Sequence, residues 1–340
     1  MAIKNSLDKL KGINNELRPI TTYRGDSDDI DVFKYKNRLK NDSHNKKREY
    51  IIVSIINNII PEKYYTLSEK WSNLKAEINL FIQKLAKIKG IRGDYKVQCF
   101  TKAGRSNHND INIHINDVIC KVEFKYGATC VNDCPQFVSP MKPSKYLNND
   151  FESWFYDNYL YKIAEFGGLK IPLKDIYCKT IHNNDVECMK EYKDKYKIDK
   201  KFNDYCKKID KEAIKKFIEI TMIDEDKLSN YLRESQKDKH YMCYHNEKIY
   251  YDTINENLYN LSSIVKKEKT NYIYKTEFGM KLEIKLRFKN GCGLQFPAFQ
   301  IKRKIPTIKE LKQICINHII KPPKLKKDII AILDENSIIY

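Results

Sequence analysis

No stretch of this sequence reaches the roughly eighteen apolar residues that a membrane-spanning helix needs, so a bilayer span is not expected. The first residues, with Lys4, Asp8, Lys9 and Lys11, lack the apolar core of a signal peptide. The ten cysteines are scattered. Cys130 with Cys134, and His240 with Cys243 and His245, come closest to clusters, yet neither has the paired ligand spacing of a structural zinc site. No period of roughly 20–50 residues recurs, which excludes a solenoid or propeller. These absences point to a soluble intracellular protein with reduced thiols, in cytoplasm or nucleus, from a cellular, viral or mobile-element gene.

What the chain has in excess is positive charge. Lys and Arg number 63 against 45 Asp and Glu, a formal balance of +18. Such a balance favours a polyanionic partner, nucleic acid before an anionic membrane surface. The abundance of Lys, Asn, Ile and Tyr also fits an AT-rich gene, which accounts for part of the lysine count.

The most informative segment runs from Asn109 to Lys125. Two apolar runs flank Asn116-Asp117, residue types that tolerate the positive φ of tight hairpin turns. A turn there sets Ile115 against Val118, Ile113 against Cys120 and Ile111 against Val122, an apolar face. The opposite face pairs His114 with Ile119, Asn112 with Lys121 and Asp110 with Glu123, and Lys125 joins them two residues on. Opposed residues of an antiparallel pair have Cβ atoms roughly 5 Å apart. Carboxylates that close repel each other, and a fold that keeps them usually holds a cation between them. Oxygen donors with open positions suit Mg²⁺, with Mn²⁺ as a substitute. A neighbouring lysine would orient a water or offset charge on a phosphate. The turn from Gly104 to His108 leads into Asp110, which puts Arg105 and His108 beside the site as phosphate contacts.

Asp110 followed thirteen residues later by Glu123-Phe124-Lys125 resembles the signature of the PD-(D/E)XK nuclease superfamily, with Asn109 where the family often has proline. The resemblance covers residues 68–140. It implies a restriction-endonuclease-like core, an α/β (α+β) fold with a central mixed β-sheet flanked by helices. It implies that Asp110 and Glu123 hold the metal. It also implies an acid on the preceding helix, a position matched by Glu77, and a substrate contact at Gln136 after the second acidic strand.

The flanking sequence agrees with that order of elements. Apolar residues recur at Trp71, Leu74, Ile78, Phe81, Leu85 and Ile88, which predicts a helix of about twenty residues between an N-cap at Ser68 and a stop at Gly90. Tyr95–Phe100 reads as a strand. Residues 1–49 read as an acidic and basic N-terminal arm, 50–185 as the core, and 186–340 as a basic helical and β-hairpin extension that packs separately or with the core. In that extension, Lys281–Phe288 alternates charged and apolar residues, Asn290-Gly291 is a strong turn signal, and Leu294–Ile301 returns. Lys281, Lys285, Arg287, Lys302 and Arg303 on this ribbon are the expected nucleic-acid contacts. Glu283-Ile284-Lys285 repeats Glu-x-Lys but lacks an opposed upstream acid.

The expectation is a Mg²⁺-dependent endonuclease that hydrolyses phosphodiester bonds in double-stranded DNA, sequence-specific in the manner of restriction or homing enzymes. Asp110, Glu123, Lys125 and Glu77 form its site. A homodimer would cut both strands. An RNA endonuclease of the same superfamily and a non-catalytic nucleic-acid-binding protein are the alternatives.

Overall fold

The structure is a computed structural model that describes residues 21–34, 41–102, 108–183, 186–289, 294 and 297–340. Arg105, the Asn290-Gly291 turn and residues 35–40 of the basic run lie outside the described residues. The fold is mixed α/β with two sheets. Among the described residues no helix is long and apolar enough to cross a membrane, and the cysteines are free thiols.

The chain divides into two compact units, one of residues 1–134 with 236–254, the other of 135–235 with 255–340. The units therefore do not follow the boundaries expected after 49 and 185, because residues 239–253, distant in sequence, complete the sheet of the first unit.

In the first unit, helix α1 (Asn41–Ile56), the short α2 (Glu62–Leu67) and α3 (Glu69–Ile88) precede strands β1 (Val97–Thr101), β2 (Ile111–Ile115) and β3 (Val118–Tyr126). Strands β4 (Lys239–His245) and β5 (Lys248–Thr253) close a sheet of order β1-β2-β3-β4-β5. Only the β3–β4 pairing is parallel. Ser68 is the N-cap of α3, and Gly90 follows its end at φ 70°, as the sequence suggested. The apolar stripe of α3 buries Trp71, Leu74, Ile78, Phe81 and Leu85 against Ile111, Ile113, Cys120 and Val122 of the hairpin. The hairpin register agrees with the sequence reading from Ile115↔Val118 through Ile111↔Val122. Asn116 takes φ 51° in the turn, and its carboxamide oxygen accepts from the Lys96 N–H at 2.9 Å, tying the turn to β1.

Residues 21–34 and α1 are not a loose arm. Ile30, Val32 and Phe33 of the 3-10 turn Ser27–Phe33 are buried with Ile51, Ile52 and Val53 of α1. The fully buried Arg48 guanidinium donates twice to the Val32 carbonyl, at 3.0 and 2.7 Å, and the Tyr126 hydroxyl donates to the Phe33 carbonyl at 2.6 Å. The acidic patch serves that docking, since Asp29 and Asp31 pair with Lys47, Lys70 and Lys34. The polar composition that suggested an arm instead supplies the hydrogen bonds of a buried turn.

The second unit carries an antiparallel sheet of order β6 (Leu261–Glu268), β7 (Asn271–Thr276), β8 (Lys281–Phe288) and β9 (Pro297–Arg303). Strand β8 spans the predicted residues, and its apolar members Leu282, Ile284, Leu286 and Phe288 are buried. Phe288 pairs with Pro297, so the return strand starts later than Leu294. Phe151 and Phe155, from the first turns of a helix that continues through a π turn to Gly167, pack on Phe288. The lysine-dense region forms the helices Lys190–Ile198 and Lys200–Ile220, the second burying Phe202, Ile209, Ala213 and Phe217.

Candidate active site

Asp110 stands at the start of β2, where the ladder ends. Its N–H donates at 3.1 Å to the Val122 carbonyl, on the residue that the ladder sets opposite Ile111, so the regular pairing stops at Ile111 and Asp110 lies just beyond it. Its Oδ2 accepts the Phe124 N–H at 2.9 Å, so the carboxylate is held against β3 on either side of Glu123 by backbone alone. Glu123 and Lys125 share the β3 face opposite Val122 and Phe124 because strand side chains alternate. Lys125 Nζ donates to Glu123 Oε1 at 2.5 Å.

Three further residues, missed in the sequence, join them. Lys239, on the parallel neighbour β4, donates to Glu123 Oε2 at 2.7 Å with only 3% of its side chain exposed. Tyr241, the Cα partner of Glu123, sets its buried ring 6.0 Å from the Lys125 ammonium and 5.7 Å from that of Lys239. Glu49, on α1, is the acid that a helix brings to the site. Burial first, then the charges of Asp110 and Glu123, push its carboxyl up to about 8. Glu77 does not take that place. Its Oε2 accepts the Ile249 N–H of β5 at 2.9 Å, because α3 packs along that edge strand.

The electrostatics follow from crowding in a poorly hydrated place. Burial and the charge of Glu123 raise Asp110 to about 6. Burial also works against the Glu123 anion, but Lys125 and Lys239 outweigh it and hold that carboxyl below its ordinary value. The Lys125 ammonium, opposed by burial, is held above the ordinary lysine value by Glu123. Burial lowers Lys239. His108 is lowered by partial burial and then by Lys239, with the Glu123 charge acting against them, so the imidazole stands within electrostatic reach of the site.

Among the described residues no three His, Cys, Asp or Glu side chains close into a ready metal cage. The donor set still fits a hard divalent cation in kind. Asp110, Glu123 and Glu49 offer oxygens only, and the mutual repulsion that raises Asp110 and Glu49 is what a cation would relieve. Both Glu123 oxygens are engaged by lysines, so a metal would have to displace one of those bonds. His240 and Cys243 form no such set either. His240 Nδ1 is 2.9 Å from the Tyr251 hydroxyl, and Cys243 is buried.

The remaining expected contacts belong to the second unit, where acids and amides already engage several of them. Lys281 donates to Glu310 at 2.9 Å, Lys302 lies 3.3 Å from Glu283, and Arg287 donates to Gln300 at 3.0 Å. Arg303 donates to the Tyr340 carbonyl at 2.9 Å. Lys285 lies between Asn271 and Gln300 in the ladder, and Gln136 is half-buried near the start of this unit. The competing Glu283 accepts from Asn271 at 3.1 Å and faces Lys302 across the ladder, with no opposed acid.

No known protein family, no curated protein and no solved structure matches this chain.

Proposed function

We propose that the first unit is a metal-dependent phosphodiesterase of the PD-(D/E)XK kind that cuts nucleic acid, with double-stranded DNA as the substrate and sequence-specific cleavage of restriction or homing type. The observation that carries the reading is the juxtaposition of Asp110 and Glu123 at the open end of the β2–β3 ladder, with two lysines on one of the two acids. Asp110, Glu123 and, from α1, Glu49 would hold Mg²⁺ or Mn²⁺. The ion, when bound, would supply Lewis-acid polarisation of the phosphate and a more acidic water.

The chain's own residues supply the rest. Glu123 holds Lys125 in place, and the Lys125 ammonium would orient the attacking water and offset charge developing on the phosphate oxygens. Lys239 adds a second cation on the same carboxylate, and it would be free to meet a phosphate if Glu123 held the ion. The +18 balance supports affinity for a polyanion and makes binding strongly salt-dependent. Cutting both strands of a duplex calls for two sites, hence a homodimer.

The closed Lys125–Glu123–Lys239 bridge favours one other reading, a non-catalytic nucleic-acid-binding protein in which the bridge is structural. Incubating the protein with supercoiled plasmid, genomic DNA and a matched RNA duplex in Mg²⁺ or Mn²⁺, beside EDTA and Asp110→Asn controls, separates them. Metal-dependent DNA fragments lost in the variant support the nuclease, and cutting of RNA alone moves the substrate to RNA. Intact nucleic acid throughout, or cutting that survives the substitution, leaves the binding protein.

A further inference from the structure

The helix Lys200–Ile220 of the second unit carries its positive charges in phase. An α-helix turns about 100° and rises about 1.5 Å per residue. At that pitch Lys200, Lys201, Lys207, Lys208, Lys211 and Lys215 fall within about a third of the circumference, in a row about 22 Å long. All six are exposed. Phe202, Cys206, Ile209 and Ala213 occupy the opposite side and are buried. One acid, Asp204, stands in the row, 3.8 Å from Lys207. The other acids of the helix lie at its margin or beyond its end. Glu212 is shared by Lys162 and Lys216, at 4.0 and 3.7 Å. Asp210 is half-buried, within electrostatic reach of Tyr177, and Glu219 follows one turn after Lys215, where the row ends. A lysine-rich gene raises the number of lysines, but it does not choose their helical phase.

The arrangement works against the helix that carries it. Lys211 has lysines four and three residues before it and four residues after it, and no acid at those spacings. Like charges so placed are neighbours on a helix and repel. Behind the Asp199 cap, the first turn carries Lys200 and Lys201 and no acid, and the last turn carries no base. The helix macrodipole favours the opposite distribution. Among the described residues, no acid pairs with Lys208, Lys211 or Lys215. A face selected for stability alternates charges of opposite sign, whereas a face that meets a polyanion keeps one sign.

We propose that this lysine row docks on the phosphate backbone of double-stranded DNA. Lysine supplies point charges suited to phosphates, which carry no sequence information, so the row adds affinity without choosing a sequence. A single strand is a poorer fit, because the surfaces that bind one stack its bases on aromatic rings. The row has no such ring, and the nearby Tyr205 is half-buried and stacked on Phe166 at 4.0 Å. A bilayer is a poorer fit as well, because a helix that lies on one inserts its apolar face. Here that face is buried within the unit. The proposal rests on the proposed function only for taking the duplex as DNA rather than RNA.

Fluorescence anisotropy of a short labelled DNA duplex tests this with the full chain in EDTA over a series of salt concentrations. The proteins are wild type, the triple variant Lys208→Gln/Lys211→Gln/Lys215→Gln and the single variant Lys211→Gln. A charge-matched control, Lys63→Gln/Lys84→Gln/Lys87→Gln, removes three exposed lysines of α2 and α3. In the first triple variant the slope of log affinity against log salt should be shallower by about two to three, and binding at about 0.1 M salt more than tenfold weaker. The control should keep the wild-type slope. Lys211→Gln should melt about 2 °C higher while binding DNA more weakly, a combination that a merely structural role does not give. The proposal is overturned by wild-type slopes in both triple variants, by equal falls in the two, or by weaker binding that comes with a lower melting temperature. Tighter binding of a matched RNA duplex through the same lysines overturns DNA as the occupant. Vesicles of phosphatidylcholine with phosphatidylserine that need these lysines, while DNA does not, overturn it in favour of a membrane. No readout requires cleavage, so the proposed function can fail while this surface holds, and the reverse.

Discussion

Lys239 donates to Glu123 across 2.7 Å although 116 residues separate them in sequence. The contact exists because β4 lies parallel beside β3 and sets Tyr241, two residues after Lys239, opposite Glu123. Replacing Lys239 by Met would leave Glu123 half-paired in a place where 15% of its side chain is exposed. Breaking a buried pair this way costs about 3 kcal/mol. Urea unfolding of the metal-free protein should show that loss as a lower midpoint with an unchanged slope, and an unchanged midpoint would mean that the bridge contributes little.

Asp110→Asn keeps an oxygen for the Phe124 N–H and removes the charge. The variant should fold and melt at or above the wild-type temperature in EDTA, because the repulsion with Glu123 is gone. Cleavage should fall by about 10³-fold or more. Asp110→Ala, which also removes the acceptor, should lose both activity and stability. Comparing the two variants in melting and plasmid assays separates the acid's charge from its hydrogen bond.

The acids also set a pH dependence. Glu49 is raised from 4.5 to about 8, and Asp110 from 3.8 to about 6. Each therefore holds its proton more tightly in the folded chain than in the unfolded one. Their contribution to stability is full below pH 4 and is lost as pH rises through the folded values. In EDTA the unfolding free energy should decline between roughly pH 4 and 8, and Glu49→Gln should flatten the upper part of that decline. A profile in Glu49→Gln identical to wild type would remove Glu49 from the acid cluster.

Divalent cations should reverse that trend. A metal held by these carboxylates competes with their protons, so Mg²⁺ should raise the melting temperature more at pH 8 than at pH 5.5. Thermal shift against Mg²⁺ concentration, in wild type and Glu123→Gln, reads this directly. Equal shifts in both proteins, or a larger shift at the lower pH, would place any bound metal elsewhere.

Arg48→Met tests the docking of residues 21–34. The substitution keeps a long apolar side chain but removes both bonds to the buried Val32 carbonyl and the cation over Tyr126. Loss of a buried charge-assisted pair of this kind costs about 2–4 kcal/mol. Limited proteolysis should then cut within residues 21–34 faster than in wild type.

Local patterning carried the elements whose partners are near in sequence. The period-2 alternation on either side of Asn116-Asp117 has a single register that buries Ile111, Ile113, Ile115, Cys120 and Val122 on one face, so Asp110, Glu123 and Lys125 were legible as a group. The four-three stripe of α3, the Ser68 N-cap and the alternation of β8 were legible for the same reason. Polarity misled at residues 21–34 and 43–49, where charged side chains bond to a buried carbonyl and to one another.

By itself, the sequence determined which residues share a strand face or a helix stripe, because those relations depend only on backbone periodicity over a few residues. Only the tertiary structure decided that Glu49 rather than Glu77 approaches the acids, and that Lys239 joins Lys125 on Glu123. Nothing in the run ending at Glu49 marks it apart from any acid before an apolar run, and Lys239–His245 carries no label naming β3 as its neighbour. Those choices were made by long-range packing, where burying α1 and α3 on one sheet and pairing β4 parallel to β3 outweigh any local preference.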